Sequence, residues 1–292
     1  MIRDPNWEEY LIIPGTIFTI QTILFFVAWA IKDNSIVDIF WSMGMAVPNL
    51  VILIYNGNWH HRTIISLVLV WLWAVRLFAH IAVRHNGEDW RYQNFRKNWR
   101  ALGGYFCEVF LSYTVVFLLQ GFFMCIVGSS AFFVALFSSK HDDLFVLEFI
   151  GAAVLLFGLI FETIADMQLS YHIKNPENRG KIIKTGLWRY SRHPNYFGEV
   201  VVWWGVYLIA CSIKWGWVTF YSALGITLLI RFVSGVPFLE KKYADRPDFI
   251  EYKKETNCFV PWIVRRVKVN VQENVSENKE FDEEKNTPLR DN

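Results

Sequence analysis

The sequence is divided into apolar blocks about as long as a bilayer is thick, and this spacing is its strongest constraint on fold. Seven such blocks cover residues 11–31, 36–55, 63–83, 109–128, 144–165, 197–213 and 217–233. Roughly 20 apolar residues in a helix cross the hydrocarbon core of a membrane, and a helix satisfies its backbone hydrogen bonds within one segment. The sequence therefore predicts an all-α polytopic membrane protein with about seven transmembrane helices.

Composition agrees with a membrane protein, since 53% of the residues are hydrophobic and only 19% are charged. Soluble domains have roughly 25% charged residues. The first block does not have the features of a cleaved signal peptide, because Arg3 is opposed by Asp4, Glu8 and Glu9 and no small-residue cleavage site follows. We expect residues 1–262 to form a single polytopic domain. Residues 263–292 are predicted to be a polar, disordered cytoplasmic tail, acidic and poor in aromatic residues.

Lysine and arginine are unevenly distributed among the connections between blocks. Five lie in residues 84–108, six in residues 166–196 and eleven after Val233, whereas Arg3, Arg62, Lys140 and Lys214 stand singly in the alternate segments. Positively charged loops remain in the cytoplasm. This distribution predicts a cytoplasmic C-terminus and an external or lumenal N-terminus. Because the basic residues follow topology, we do not expect a nucleic-acid partner.

The cysteines and histidines do not form a pattern typical of a metal site. The four cysteines have no Cys-x-x-Cys spacing, so we interpret them as small buried hydrophobic residues. A di-iron site needs clustered imidazole and carboxylate ligands. Of the seven histidines, His60 and His61 fall on the predicted outer side, and His141 lies in an outer loop. The sequence therefore predicts no bound metal.

The third block carries Arg76, His80 and Arg84 at intervals of four residues, so the three side chains share one helix face. The side chains could extend to the membrane surface as anchors. Alternatively, they bind a phosphate-bearing ligand. The presence of three cationic or protonatable groups on one face favours this interpretation. The next loop, with Trp90 and Trp99, is typical of an interfacial helix, although that interpretation does not explain its acidic residues.

The ionisable residues of the blocks fall mainly toward the predicted cytoplasmic end. These are Asp38, Arg76, His80, Glu162, Asp166, Glu199 and Arg231, with Glu148 toward the opposite end. Such residues are costly within a membrane and are therefore candidates for a functional site. Asp38 could be an interfacial carboxylate that reaches water, or it could face a cavity. The pattern predicts a polar cavity open to the cytoplasm, suited to a charged soluble cofactor and a hydrophobic substrate.

Several enzyme and transport classes lack their sequence signatures. There is no His-Glu-x-x-His, Gly-x-Ser-x-Gly or Walker motif. The glycine fingerprint of a dinucleotide-binding domain is also absent, so we do not expect a Rossmann domain to hold any nicotinamide cofactor. No paired broken spans or internal repeats support transport.

Residues 186–199, GLWRYSRHPNYFGE, form the most distinctive motif. It begins in the basic loop before the sixth block and ends within the first three residues of that block. Together with residues 37–41 (VDIFW), 88–92 (EDWRY), 162–168 (ETIADMQ) and 234–240 (SGVPFLE), this motif resembles a branch of the steroid 5-alpha-reductase-like membrane proteins. The resemblance extends nearly throughout the chain to about Trp262. The Arg-His-Pro-x-Tyr core also occurs in isoprenylcysteine and phospholipid methyltransferases of related build.

The resemblance implies a seven-helix enzyme that binds NADPH from the cytoplasm, in the endoplasmic reticulum membrane. It implies that Asn195 and Glu199 grip the cofactor, whereas His80 stands where the family has a tyrosine. We expect phosphate groups near Arg192 and the start of the sixth helix, where free backbone N–H groups favour anions. The candidate cofactor-binding residues are Arg76, His80, Arg84, Asp166, Trp188, Arg192, His193, Asn195, Tyr196, Glu199 and Arg231.

The reaction implied by the resemblance is hydride transfer from NADPH to a carbon–carbon double bond conjugated to a carbonyl, in a lipid or steroid-like substrate. The carbonyl oxygen then needs an acid or hydrogen-bond donor. Asp38 is the candidate catalytic residue, and a tyrosine is the alternative. Two other functions stay open. One is an S-adenosylmethionine-dependent lipid methyltransferase, although the single Glu240 is not the acidic cluster of such enzymes. The other is a non-catalytic membrane protein that retains a cofactor pocket.

Overall fold

A computed structural model describes residues 3–139 and 146–264. Over these ranges the chain is helical and forms no β-sheet, only one isolated bridge between Ser191 and Asn257. The all-α prediction is therefore confirmed. The outer loop with His141 and residues 265–292 of the predicted tail lie outside the described residues.

Most of the connections between the described helices are short, and the longest, residues 175–193, joins α7 to α8. In chain order they are α1 (Trp7–Ile31), α2 (Ile36–Ile39), α3 (Met43–Asn56), α4 (His61–Arg84), α5 (Trp90–Leu111), α6 (Leu119–Phe137), α7 (Val146–Lys174), α8 (Pro194–Ala210), α9 (Phe220–Leu228), α10 (Val236–Lys242) and α11 (Pro247–Glu255). A π-helical segment, Ser112–Leu118, joins α5 to α6, and a second, Leu229–Val233, follows α9. Short 3-10 helices occupy Pro176–Asn178, Gly186–Arg189 and Gly216–Thr219.

Five helical stretches of the described chain are long and apolar enough to cross a membrane. They are Trp7–Ile31, His61–Arg84, Trp90–Phe137, Val146–Lys174 and Gly216–Lys242. The protein is therefore a polytopic membrane protein. The helices of the other two predicted blocks are shorter than these five stretches. Turn residues 40–42 divide the second block and leave α3 with 14 residues, and α8 has 17.

Glycines at the contact between α7 and α8 allow the two helices to approach closely along their lengths. A Cβ atom on Gly158 would lie 2.7 Å from the Val202 nitrogen and 2.8 Å from the Gly198 oxygen. A Cβ atom on Gly205 would lie 2.5 Å from the Leu155 nitrogen. Because these contacts are with backbone atoms, larger residues would force the helices apart. The close approach sets the relative positions of the polar residues at one end of the pair, namely Glu162, Asp166, Asn195 and Glu199.

An apolar layer separates this polar end from a buried ion pair at the other end of the bundle. In the layer, Trp73 of α4 meets Trp203 of α8 edge to face, with ring centroids 5.2 Å apart. At the far end, Arg62 pairs with Glu148, which also accepts a hydrogen bond from the Ser212 hydroxyl at 2.9 Å. Glu148, predicted to lie opposite the other ionisable residues, thus has partners of its own.

Candidate functional site

A cavity of about 620 Å³ lies at the end of the bundle where α4 and α7 finish and α8 begins. This volume is typical of small-molecule sites. Its wall combines side chains from α2, α4 to α10 and both π-helical segments. The polar side chains in the wall are Asp38, His80, Arg84, Arg91, Tyr92, Gln120, Glu162, Asp166, Asn195, Tyr196, Ser234 and Glu199. Long-range packing therefore gathers polar residues from distant helices around one space.

Asp38 is the centre of a hydrogen-bond network on one side of this cavity. Its Oδ2 accepts from Arg91 Nη2 at 2.9 Å, and its Oδ1 accepts from the Tyr92 hydroxyl at 2.7 Å. Gln120 Nε2 lies 3.3 Å from both Asp38 Oδ1 and the Tyr92 oxygen and donates to them. Both carboxylate oxygens are thus acceptors. This geometry suits Asp38 to orienting the Tyr92 hydroxyl rather than to donating a proton itself.

Tyr92 is not among the candidate site residues predicted from the sequence, although it lies in the 88–92 motif. Its ring is buried, and its segment has the tryptophan pattern of an interfacial helix. The available signal was the acidic pair Glu88 and Asp89, which interfacial anchoring does not explain. Burial opposes ionisation of Asp89, but hydrogen bonds from the Arg91 side chain and backbone outweigh it and hold the pKa of Asp89 below its ordinary value. Asp89 thereby fixes Arg91, which in turn holds Asp38.

A second network, built on α4, α7 and α8, surrounds Arg76. Arg76 Nη1 donates to Asp166 Oδ2 at 2.6 Å, and Nη2 pairs with Glu162. Asn195 Nδ2 donates to Asp166 Oδ1 at 3.1 Å. Glu199 is buried in the same wall and accepts a hydrogen bond from the Trp41 side chain. Two carboxylates therefore balance the Arg76 charge inside the bundle, so Arg76 acts neither as a surface anchor nor as an unpaired anion-binding group.

The other two members of the α4 stripe lie at the cavity wall. Arg84 Nη1 donates to His80 Nε2 at 3.0 Å, and His80 Nε2 lies 3.5 Å from Asp166 Oδ1. Arg84 is exposed, whereas His80 is partly buried. A smaller cavity of about 420 Å³ adjoins this region between α4 and α7. It shares His80 and Asp166 with the main cavity and is also lined by Arg76 and Lys174.

The first half of the 186–199 motif faces a different part of the molecule. Arg192 Nε donates to Glu240 Oε1 at 2.8 Å, and Arg192 Nη1 donates to the Thr256 oxygen at 2.6 Å. His193 Nε2 lies 3.2 Å from Glu240 Oε1, and Lys253 Nζ lies 2.9 Å from Oε2. Burial lowers the pKa of His193 below its ordinary value, and Glu240 opposes this only in part. These residues tie the motif to α10 and α11.

Four predicted cofactor-binding residues consequently do not line either cavity: Trp188, Arg192, His193 and Arg231. Trp188 is buried and donates from Nε1 to the Ala165 oxygen at 3.0 Å. The Arg231 guanidinium lies over the Phe232 ring, 5.0 Å from its centroid. The main cavity contains the candidates Asp38, His80, Arg84, Asp166, Asn195, Tyr196 and Glu199, and Arg76 lines the smaller one.

His193, Glu240 and Cys258 also place potential metal-binding atoms within 4.8 Å of one another. The Glu240 carboxylate is already bound by Arg192 and Lys253, so its charge is balanced without a metal. Burial raises the pKa of the Cys258 thiol and favours its protonated form, whereas metals bind the thiolate. We assign this cluster a structural role.

Comparisons with other proteins place these elements in a family. A family model described as "Protein of unknown function (DUF1295)" matches residues 24–256. A Schizosaccharomyces pombe protein described as uncharacterized protein C594.04c is 23% identical over 273 residues, covering 84% of this chain and 77% of the relative. No solved structure matches the chain. Since the family match runs from within α1 to the end of α11 and includes every residue that lines the two cavities, the chain belongs to the DUF1295 family.

Proposed function

We propose that the protein is a membrane reductase that uses NADPH to reduce a carbon–carbon double bond conjugated to a carbonyl in a lipid. The observation that carries this proposal is the Tyr92 hydroxyl, which Asp38 orients at the wall of a cavity that also contains Asp166, Asn195 and Glu199. The resemblance of residues 186–199 to steroid 5-alpha-reductase-like proteins supports NADPH as the cofactor. We further propose a cytoplasm-facing cavity in the endoplasmic reticulum membrane, with a cytoplasmic C-terminus.

The proposed proton donor follows from the charge that develops during reduction. NADPH supplies the hydride when bound. As the β-carbon of the substrate gains that hydride, negative charge builds on the carbonyl oxygen and must be stabilised by a positioned donor. The Tyr92 hydroxyl donates its one proton to Asp38 in this structure. It would turn about its C–O bond to donate to the carbonyl oxygen, while Arg91 holds the Asp38 carboxylate in place. Tyr92 would give its proton to that oxygen and leave an enol. Water then supplies the proton that the α-carbon gains, the carbonyl re-forms, and the enol proton returns to Tyr92.

The polar residues around Asp166 fit the hydrogen-bonding groups of a nicotinamide nucleotide. The buried Glu162 Oε2 has no hydrogen-bond partner among the described residues. An unpaired buried acceptor is costly, and an N–H or O–H of a bound ligand relieves that cost. Asp166, Asn195 and Glu199 would hold the amide and sugar groups. The phosphates would extend past His80 and Arg84 to Lys174, through the adjoining cavities.

Ligand binding to the purified protein tests the cofactor. We expect NADPH to raise the unfolding temperature in detergent or nanodiscs, and S-adenosylmethionine to leave it unchanged. Asn195→Ala should weaken NADPH binding, because Asn195 lines the cavity and bonds Asp166. A shift with S-adenosylmethionine but not with NADPH would identify a methyltransferase instead. No shift with either ligand would favour the non-catalytic alternative.

Tyr92→Phe tests the proton donor. With NADPH and a panel of long-chain 2-enals and steroid enones, the variant should bind NADPH normally but reduce the enone about 10²- to 10⁴-fold more slowly, the usual contribution of a general acid. Tyr190→Phe is the matched control, since Tyr190 is exposed and lines neither cavity. A Tyr92→Phe variant with the full rate would rule out this role for Tyr92.

A further inference from the structure

The wall of the main cavity has a polar side and an apolar side, and both π-helical segments lie on the apolar side. Val115 and Val116 come from Ser112–Leu118, and Leu229, Ile230 and Val233 come from the other π-helical segment. Single π-helical turns are rare and frequently occur at functional sites. Two of them bordering one cavity mark this side as specialised.

Ser130 of α6 bonds Thr219, before α9, and Ser222 of α9 bonds Val127 of α6, so these helices run antiparallel and both π-helical segments lie at the same end of the pair. α6 packs against α9, but beyond that contact the two π-helical segments do not pack extensively on each other. Val115, Leu119 and Val233 line the cavity and are also 43%, 42% and 57% exposed. In a membrane, the outer side of these segments faces lipid tails. We therefore describe the space between the two π-helical segments as the lateral gap, bordered by residues 115–119 and 229–233.

The outer surface beside the lateral gap is apolar as well. Phe122 on the α6 side and Leu228 and Phe232 on the α9 side are exposed and do not line the cavity. An opening bordered by apolar side chains does not favour the passage of a water-soluble substrate. A molecule dissolved in the bilayer could cross it without leaving apolar surroundings.

The polar side of the cavity indicates the chemistry of the end of the molecule that lies inside. Arg91 is already paired with both Asp38 and Asp89, so it offers little to an anionic group. Gln120, one residue beyond Leu119 of the gap, has an Oε1 atom with no hydrogen-bond partner among the described residues. These groups favour a neutral polar head over a charged one. Gln120 Oε1 would accept from a hydroxyl of the head, and a carbonyl of the head would accept from the Tyr92 hydroxyl once it turns from Asp38.

We propose that the lateral gap admits a single-chain membrane lipid with a small neutral head, whose chain extends through the gap into the bilayer while the head lies at Tyr92 and Gln120. The proposal rests on the proposed reductase function for the chemistry at the head. It identifies Val115, Leu119 and Val233 as residues that select for chain length and width. A bulky side chain at the gap therefore discriminates against long or branched chains more than against short ones.

Photolabelling in phosphatidylcholine nanodiscs tests the gap without relying on reductase activity. The probe is a long-chain 2-enal with a diazirine near the end of its chain. We expect cross-links concentrated in residues 115–123 and 226–233, and loss of those cross-links when unlabelled enal is added. Labelling spread evenly over lipid-facing α1 and α7 would overturn the proposal. So would labelling confined to the region of Arg84 and Lys174, which would indicate entrance from the aqueous side.

Val115→Trp provides the matching perturbation. It should reduce labelling by the long-chain probe roughly tenfold or more, the scale of steric discrimination in apolar sites, while binding of a short-chain enal is retained. The control is Ile23→Trp, at a lipid-exposed position on α1 away from the cavity. Unchanged labelling of Val115→Trp would overturn the lateral gap even if NADPH binds. If labelling is confined to the gap and is lost with unlabelled enal, but NADPH does not bind, the lateral gap is supported and the proposed reductase function is refuted.

Discussion

Replacing Glu240 with alanine would leave Arg192 without its counter-charge at the junction of α8, α10 and α11. In the native protein, Glu240 binds Arg192 and His193 through Oε1, and Lys253 through Oε2. The Arg192 and Glu240 side chains are only 9% and 15% exposed. Water can therefore compensate little for the lost carboxylate.

The expected loss follows from this burial. Removing one partner of a buried ion pair costs about 3–5 kcal/mol, because the other charge remains desolvated. Arg192 keeps its hydrogen bond to the Thr256 oxygen, and Lys253 is 37% exposed and can turn to water. We therefore expect the lower end of that range, about 3 kcal/mol. At about 2–4 °C per kcal/mol for a chain of this size, the unfolding temperature should fall by about 6–12 °C.

Thermal unfolding followed by tryptophan fluorescence in one detergent measures this loss. Glu251→Ala is the matched control, because Glu251 pairs with Lys184 at 3.2 Å but its side chain is 67% exposed. Exposed pairs contribute at most about 1 kcal/mol. Glu240→Gln keeps an acceptor for Arg192 without the charge, so its unfolding temperature should lie between those of Glu240→Ala and Glu251→Ala. NADPH affinity of the folded Glu240→Ala protein should be nearly unchanged, since Arg192 and His193 line neither cavity.

Two results would refute this reasoning. If Glu240→Ala unfolds at the same temperature as Glu251→Ala, the buried ion pairs do not stabilise the junction as argued. If the unfolding temperature is unchanged but NADPH affinity falls strongly, Arg192 and His193 serve the cofactor, and their assignment to a structural role is incorrect.

Two further stability predictions concern other contacts. Gly158→Ala should lower the unfolding temperature, at a cost of about 1–3 kcal/mol for overpacking, because its Cβ would meet backbone atoms of Val202 and Gly198. Gly15→Ala, whose Cβ meets nothing within 4 Å, is the control, and equal effects would contradict the packing argument. Because burial lowers the pKa of His193 in the folded state, the unfolded chain binds more protons as the pH falls below the ordinary value of 6.5. Stability should therefore decrease toward acidic pH, less steeply in His193→Gln, and identical pH profiles would exclude this contribution.

The helical architecture could be predicted from the sequence because apolar length is a local property. Each of the seven predicted blocks is largely helical in the structure. The break at residues 40–42 was not predicted, since residues 36–55 are apolar on both sides of it. The break matters for the site, because it leaves Asp38 on a short helix of its own, within reach of Arg91 and Tyr92.

The partners of the charged residues could not be predicted in the same way. Spacing along α4 identifies a face shared by Arg76 and His80, but not what lies opposite that face. The opposing acid, Asp166, is 90 residues further along the chain. Likewise, Arg192 lies two residues before an apolar helix and was interpreted as a phosphate ligand, whereas its partner Glu240 is 48 residues away. Tertiary packing, which the spacing of residues does not encode, decides between an ion pair and an anion site.

Because of the glycine contact between α7 and α8, the walls of the cavity differ in stiffness. With backbone against backbone, that pair of helices has no side-chain layer that could compress or rearrange. The wall formed by the two π-helical segments instead has side chains that can change rotamer and helical turns that can tighten. Ligands of different width would therefore displace the wall that contains Val115 and Val233. The spacing between Asp166 and Asn195 would stay fixed, so the proposed chemistry at the head would become independent of the width of the chain.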